Sequence, residues 1–129
     1  MKNYRKRIAD DILKRKLEGK GAVLIEGPKW CGKTTTAEQI AASVLYMDEP
    51  EKKQQNITMS ELSPKRLLIG DTPRLIDEWQ LAPKLWDAIR FEADHRVEPG
   101  QFILTGSDTK EITNSGTGRF TWLTMRPMS

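Results

Sequence analysis

Apolar positions along the 129-residue chain change period several times. Tyr4, Ile8, Ile12, Leu13 and Leu17 recur at helical spacing and predict an amphipathic helix over residues 3–17, ended by Gly19 and Gly21. Ala22-Val23-Leu24-Ile25-Glu26 is a short apolar run, the pattern of a buried strand. Residues 27–32 then read as a loop and 33–43 as a helix with Ala37, Ile40 and Ala41 on one face, followed by a second strand at 44–47. The polar stretch from Asp48 to Asn56 reads as an exposed connection. Ser63-Pro64 opens a short helix carrying Leu67, Leu68 and Ile69, because serine caps and proline suits the first turn. After a turn at 70–73, residues 74–77 form a third predicted strand. Pro83 opens a helix with Leu85, Trp86, Ile89 and Ala93 inward, and 102–105 is a fourth strand. Residues 107–118 are polar and glycine-bearing, a connection expected to be mobile, and 120–125 alternates as a fifth strand.

Strands alternating with helical segments call for an α/β architecture: a mostly parallel five-stranded sheet with helices on both faces, a three-layer sandwich. A chain of this length suffices for one domain, taken as 1–129 with a basic amphipathic helix at 1–18. No internal repeat or low-complexity tract interrupts it.

Composition narrows the class. Charged residues make up 30% and the hydrophobic set 37%, a globular mixture rather than a disordered one. No apolar run approaches the roughly 20 residues that span a bilayer. The basic start is broken by Asp10 and Asp11, which leaves no signal-peptide core. A cytoplasmic location is the expectation, with no membrane association. The single cysteine permits no internal disulfide. Of the net charge of +3, residues 1–20 carry +5, so the remainder is acidic. That basic end reads as a solvated helix face; contact with nucleic acid or an acidic partner is the alternative. Among those charges Tyr4 is the one aromatic, so the stacking signature of single-strand binding is missing.

The sharpest chemistry is Gly27-Pro28-Lys29-Trp30-Cys31-Gly32-Lys33-Thr34, which fits G-x-x-x-x-G-K-[ST] at every fixed position. Glycines let successive backbone N–H groups curl toward phosphate oxygens, and the helix beginning near Lys33 aims its positive end at the same place. Lys33 should reach the β- and γ-phosphates, the Thr34 hydroxyl should ligate Mg²⁺, and Thr35 should support the helix start. Cys31 reads as a tolerated loop residue, since His95, the one histidine, falls on a predicted helix. The motif sits between an apolar strand and a helix, as a P-loop NTPase fold requires.

Asp77 and Glu78 end the third strand, 44 residues after Lys33. In a parallel sheet the C-terminal strand ends gather on the ligand edge. Asp77 would stand near the metal as a hard oxygen ligand, and Glu78 would polarise the attacking water. One strand candidate falls between the two motifs in sequence, which leaves room for 102–105 to lie between them in space. The end of that strand would place Thr105 or Ser107 where a hydroxyl could meet the attacking water or the γ-phosphate. Arg119 could stabilise charge developing in phosphoryl transfer, on this chain or a neighbouring subunit; a plain surface arginine is the other reading.

The stretches 23–34, 73–80, 102–107 and 116–119 resemble the AAA+-like ATP-binding proteins of bacteria and archaea that carry a C-terminal domain of unknown function, DUF4143. The resemblance implies an ATPase core with Walker A at Gly27–Thr34, Walker B at Asp77 and Glu78, and a sensor-like Thr105 or Ser107. It implies ATP and Mg²⁺ as ligands and hydrolysis coupled to a partner, a C-terminal domain or a homo-oligomer. Members of that family are longer, so this chain resembles the N-terminal ATPase core without lid or C-terminal domain, and turnover can be weak. The competing readings are a nucleotide-dependent binding module attached to nucleic acid through the basic helix, and, last, a small-molecule kinase.

Overall fold

The computed structural model describes residues 2–27, 32–96, 98–106 and 120–124, with 2–10 and 120–124 described as backbone only. Helix α1 (Lys2–Gly19) leads into strand β1 (Ala22–Glu26), helix α2 (Lys33–Ile40) and strand β2 (Ser43–Tyr46). Helices α3 (Lys53–Leu62) and α4 (Pro64–Leu67) precede strand β3 (Arg74–Asp77) and a 3₁₀ turn, Trp79–Leu81. Helix α5 (Leu85–His95), strand β4 (Phe102–Gly106) and strand β5 (Phe120–Thr124) follow.

All pairings are parallel, and the order across the sheet is β2-β3-β4-β1-β5. Strand β4 therefore separates β1 from β3, where the segment 102–105 was expected to insert. Its register sets Ile25 opposite Thr105 on one side and Asp77 opposite Thr105 on the other.

Period-two alternation divides the core between the two faces. Ala22 and Leu24 of β1, Ile76 of β3, and Phe102 and Leu104 of β4 join Leu85, Trp86, Ile89 and Ala93 of α5 in one cluster. The intervening residues, Val23, Ile25, Leu75 and Ile103, meet Leu13 and Leu17 of α1 and Ala37 of α2 in the other. A sheet buried on both faces explains why β1 reads as a continuous apolar run. Each fully buried Leu or Ile here contributes about 1.5–3 kcal/mol. Gly21 lets the entry to β1 pass close to α5, since a Cβ there would stand 3.1 Å from the Ala93 Cβ. No described helix is long and apolar enough to cross a membrane.

Two expectations need correction. The polar segment after β2 is not merely a connection: it turns into α3 from Lys53. That helix buries little besides Ser60, with Ile57 and Met59 partly covered and Leu62 exposed, so its apolar period is too weak to see. Helix α2 also ends at Ile40, with Ala41 already extended, and β2 begins at Ser43. The predicted connection at 107–118 lies outside the described residues.

Candidate functional site

The C-terminal ends of β1, β3 and β4 converge with the start of α2. Strand β1 ends at Glu26, and α2 starts at Lys33 after Gly32, whose φ of 84° is a left-handed conformation that glycine adopts without a Cβ penalty. Lys33 is only 2% exposed although it carries a charged head group. Pro28, Lys29, Trp30 and Cys31 lie outside the described residues, as do Ser107 and Arg119.

Asp77 is the hub. Its Oδ1 accepts the Thr34 hydroxyl at 2.7 Å and the Thr105 hydroxyl at 2.6 Å. Three elements distant in sequence, α2, β3 and β4, are thus pinned to one carboxylate oxygen. Asp77 is 5% exposed and Thr105 fully buried, where an ionised group without hydrogen-bond donors would be costly. Thr105 also accepts the Glu78 backbone N–H at 3.3 Å, so one hydroxyl serves both acidic residues. Of the two sensor candidates, Thr105 lies within the site. Thr35 is exposed on α2.

Glu78 departs from strand geometry. Its φ of 57° and ψ of 49° are left-handed, uncommon for a residue with a side chain. In a continuing strand, neighbours point to opposite faces. Here the left-handed step brings carboxylate oxygens of Asp77, Glu78 and Asp48 all within 4.8 Å of one another. Gln80, in the following turn, donates its amide to Glu78 Oε1 at 2.6 Å.

An oxygen-rich set of this kind suits a hard divalent cation such as Mg²⁺, which takes carboxylate and hydroxyl oxygens and keeps several waters. The Thr34 hydroxyl already touches Asp77, so both oxygens lie together at this edge. Thr34, Asp77, Asp48 and Glu78 therefore fit such an ion.

Beside this edge, the Tyr46 hydroxyl donates to Glu38 Oε2 across from α2. The Glu38 bond, together with partial burial and the negative charges of Glu38 and Asp77, pushes the Tyr46 phenol up to about 12. Sequence reading missed Asp48, Gln80 and the Tyr46–Glu38 pair. Asp48 had a signal: it follows the second strand, and strand ends share one edge. Gln80 had none, because its role depends on the left-handed step at Glu78.

A family model described as AAA domain matches residues 19–129. No curated protein matches the chain.

Proposed function

Because the chain belongs to the AAA domain family, and so carries an ATPase-like nucleotide-binding domain, we propose that it is a P-loop ATPase core. It binds ATP with Mg²⁺ at Gly27–Thr34 and hydrolyses it, coupling turnover to a partner or a C-terminal domain. The observation that carries this reading is the joint grip of Thr34 and Thr105 on Asp77, which ties the start of α2 and the end of β4 to the end of β3, where both acidic residues stand.

Lys33 supplies positive charge to the β- and γ-phosphate oxygens, and the N–H groups at the start of α2 add the helix dipole. Thr34 and Asp77 would hold the cation, with Asp48 beside them. When bound, that ion neutralises charge that develops on the phosphate oxygens. Glu78 accepts a proton from the attacking water as its oxygen bonds to the γ-phosphorus. The bond from phosphorus to the β–γ bridging oxygen breaks, and ADP leaves with that electron pair. Thr105 orients Asp77 from behind and braces the Glu78 backbone.

Two substitutions test the reading. Lys33→Ala should abolish binding of a fluorescent ATP analogue, and unchanged affinity would sink the phosphate-loop assignment. Glu78→Gln should bind ATP as the unsubstituted chain does while phosphate release falls by about 10²–10⁴-fold, the usual worth of a general base. Turnover that survives in Glu78→Gln removes Glu78 from the role of base.

A further inference from the structure

We propose that Gln80 is a positioning residue that holds the Glu78 carboxylate at the ligand edge through its side-chain amide; this rests on the reading of Glu78 as the base. Three observations meet here. Oxygens of Glu78, Asp77 and Asp48 lie within 4.8 Å of one another, so like charges push the Glu78 side chain away from the place where it is useful. Asp77 has two hydroxyl donors to settle its charge. For Glu78 the side-chain donor among the described residues is Gln80 Nε2, at 2.6 Å from Oε1.

The second observation is backbone geometry. Glu78 is left-handed and opens the 3₁₀ turn, with its carbonyl accepting the Leu81 N–H at 3.1 Å. Trp79 is fully buried and anchors that turn in the core. The turn therefore fixes the Gln80 backbone at a constant offset from Glu78, within reach of its side-chain amide.

The third observation is a cost. Gln80 Oε1 is buried without a hydrogen-bond partner among the described residues. An unpaired buried carbonyl destabilises a fold, so an apolar isostere would serve stability better at this position. A glutamine kept at that expense, with its amine end on the base, has the signature of a group retained for what it orients.

The test uses Gln80→Met, which keeps length and removes the donor. Its melting temperature should equal or exceed that of the unsubstituted chain, because the buried unpaired carbonyl goes with it. Nucleotide affinity and KM should change less than about twofold while kcat falls about 10- to 100-fold, the cost of a misplaced catalytic group. Gln80→Glu, which sets a second carboxylate against the first, should lower kcat at least as far. In a Glu78→Gln background, Gln80→Met should have no further effect on kcat, since both changes remove one function. A fall of the same size in that background means that Gln80 acts elsewhere and overturns the proposal. A second readout is independent of turnover: the Gln80 side-chain amide resonances of the nucleotide-free chain, assigned by their loss in Gln80→Met. They should shift toward the free-amide position in Glu78→Ala, and no shift overturns the contact. If Glu78→Gln itself keeps full turnover, the base assignment fails; if it loses turnover while Gln80→Met keeps it, only the Gln80 proposal fails.

Discussion

Replacing Thr105 by valine exchanges one hydroxyl for a methyl group at a fully buried position and leaves no cavity. Two hydrogen bonds go with it. The bond donated to Asp77 Oδ1 at 2.6 Å involves a carboxylate, and such bonds are worth about 1.5–3 kcal/mol net. The bond accepted from the Glu78 N–H is long, at 3.3 Å, and is worth about 0.5–1 kcal/mol. Thr34 still donates to the same oxygen, so Asp77 is not left bare. The sum is about 2–4 kcal/mol, a large part of the ~5–15 kcal/mol that holds a domain of this size. It should lower the melting temperature by about 6–16 °C. Urea unfolding followed by tryptophan emission measures it, because Trp79 is fully buried and Trp86 nearly so. Thr105→Ser, which keeps the hydroxyl and loses a methyl, should cost less than half as much. A Thr105→Val chain within ~0.5 kcal/mol of the unsubstituted one would refute the reasoning, since that is the ordinary range for a substitution with no such partner. So would a serine variant that loses more than the valine one, which would place the larger part of the energy in the methyl and not in the bond to Asp77.

How far the sequence carries depends on whether a feature lies in local pattern or in three-dimensional offset. Strand β1 is visible because burial on both faces leaves no polar position from Ala22 to Ile25. Helix α5 is visible for the opposite reason: Leu85, Trp86, Ile89 and Ala93 fall on one stripe. Helix α3 hides because it lies over the rim of the core, and Lys53-Gln54-Gln55-Asn56 gives no apolar period. Its helix-forming lysine, glutamines, methionine, glutamate and leucine were a signal that periodicity alone does not weigh.

The site divides in the same way. The phosphate-loop pattern and Asp77 are legible because spacing and a strand end mark them, Thr105 is legible only as one of two hydroxyls with Ser107, and one strand inserted between two motifs follows from chain order. What the hydroxyl of Thr105 touches is not legible, since it depends on the register that sets Asp77 opposite it. Asp48 is legible in principle as the residue after a strand. The alliance of Glu78 with Gln80 is not legible, because it rests on the left-handed φ of Glu78 and on the 3₁₀ turn that follows it, neither of which the local pattern announces.

Three further substitutions probe the same edge and its supports. Gly21→Ala would set a Cβ 3.1 Å from that of Ala93, so α5 must shift, at about 1–3 kcal/mol by urea unfolding; an unchanged midpoint would mean that α5 yields freely. Tyr46 is neutral in the fold up to about 12 instead of 10, chiefly through its bond to Glu38. Its raised value means that the stability it contributes is complete below pH 10 and lost as pH rises through 12. Phenolate absorbance should show a late-titrating tyrosine that disappears in Tyr46→Phe, and that variant should lose less stability across this window; identical slopes would exclude the pairing. Glu78→Asn tests whether the acidic edge is built against stability. The left-handed backbone of Glu78 is strained for most side chains and tolerated by asparagine, and its carboxylate stands within 4.8 Å of those of Asp77 and Asp48. Removing both burdens, at the loss of one Gln80 bond, should raise unfolding free energy by about 0.5–1.5 kcal/mol. The same substitution should end phosphate release while ATP binding persists. Greater stability with lost turnover is what a strained catalytic residue requires, whereas a fall in stability would mean that the left-handed turn and its glutamate support the fold itself.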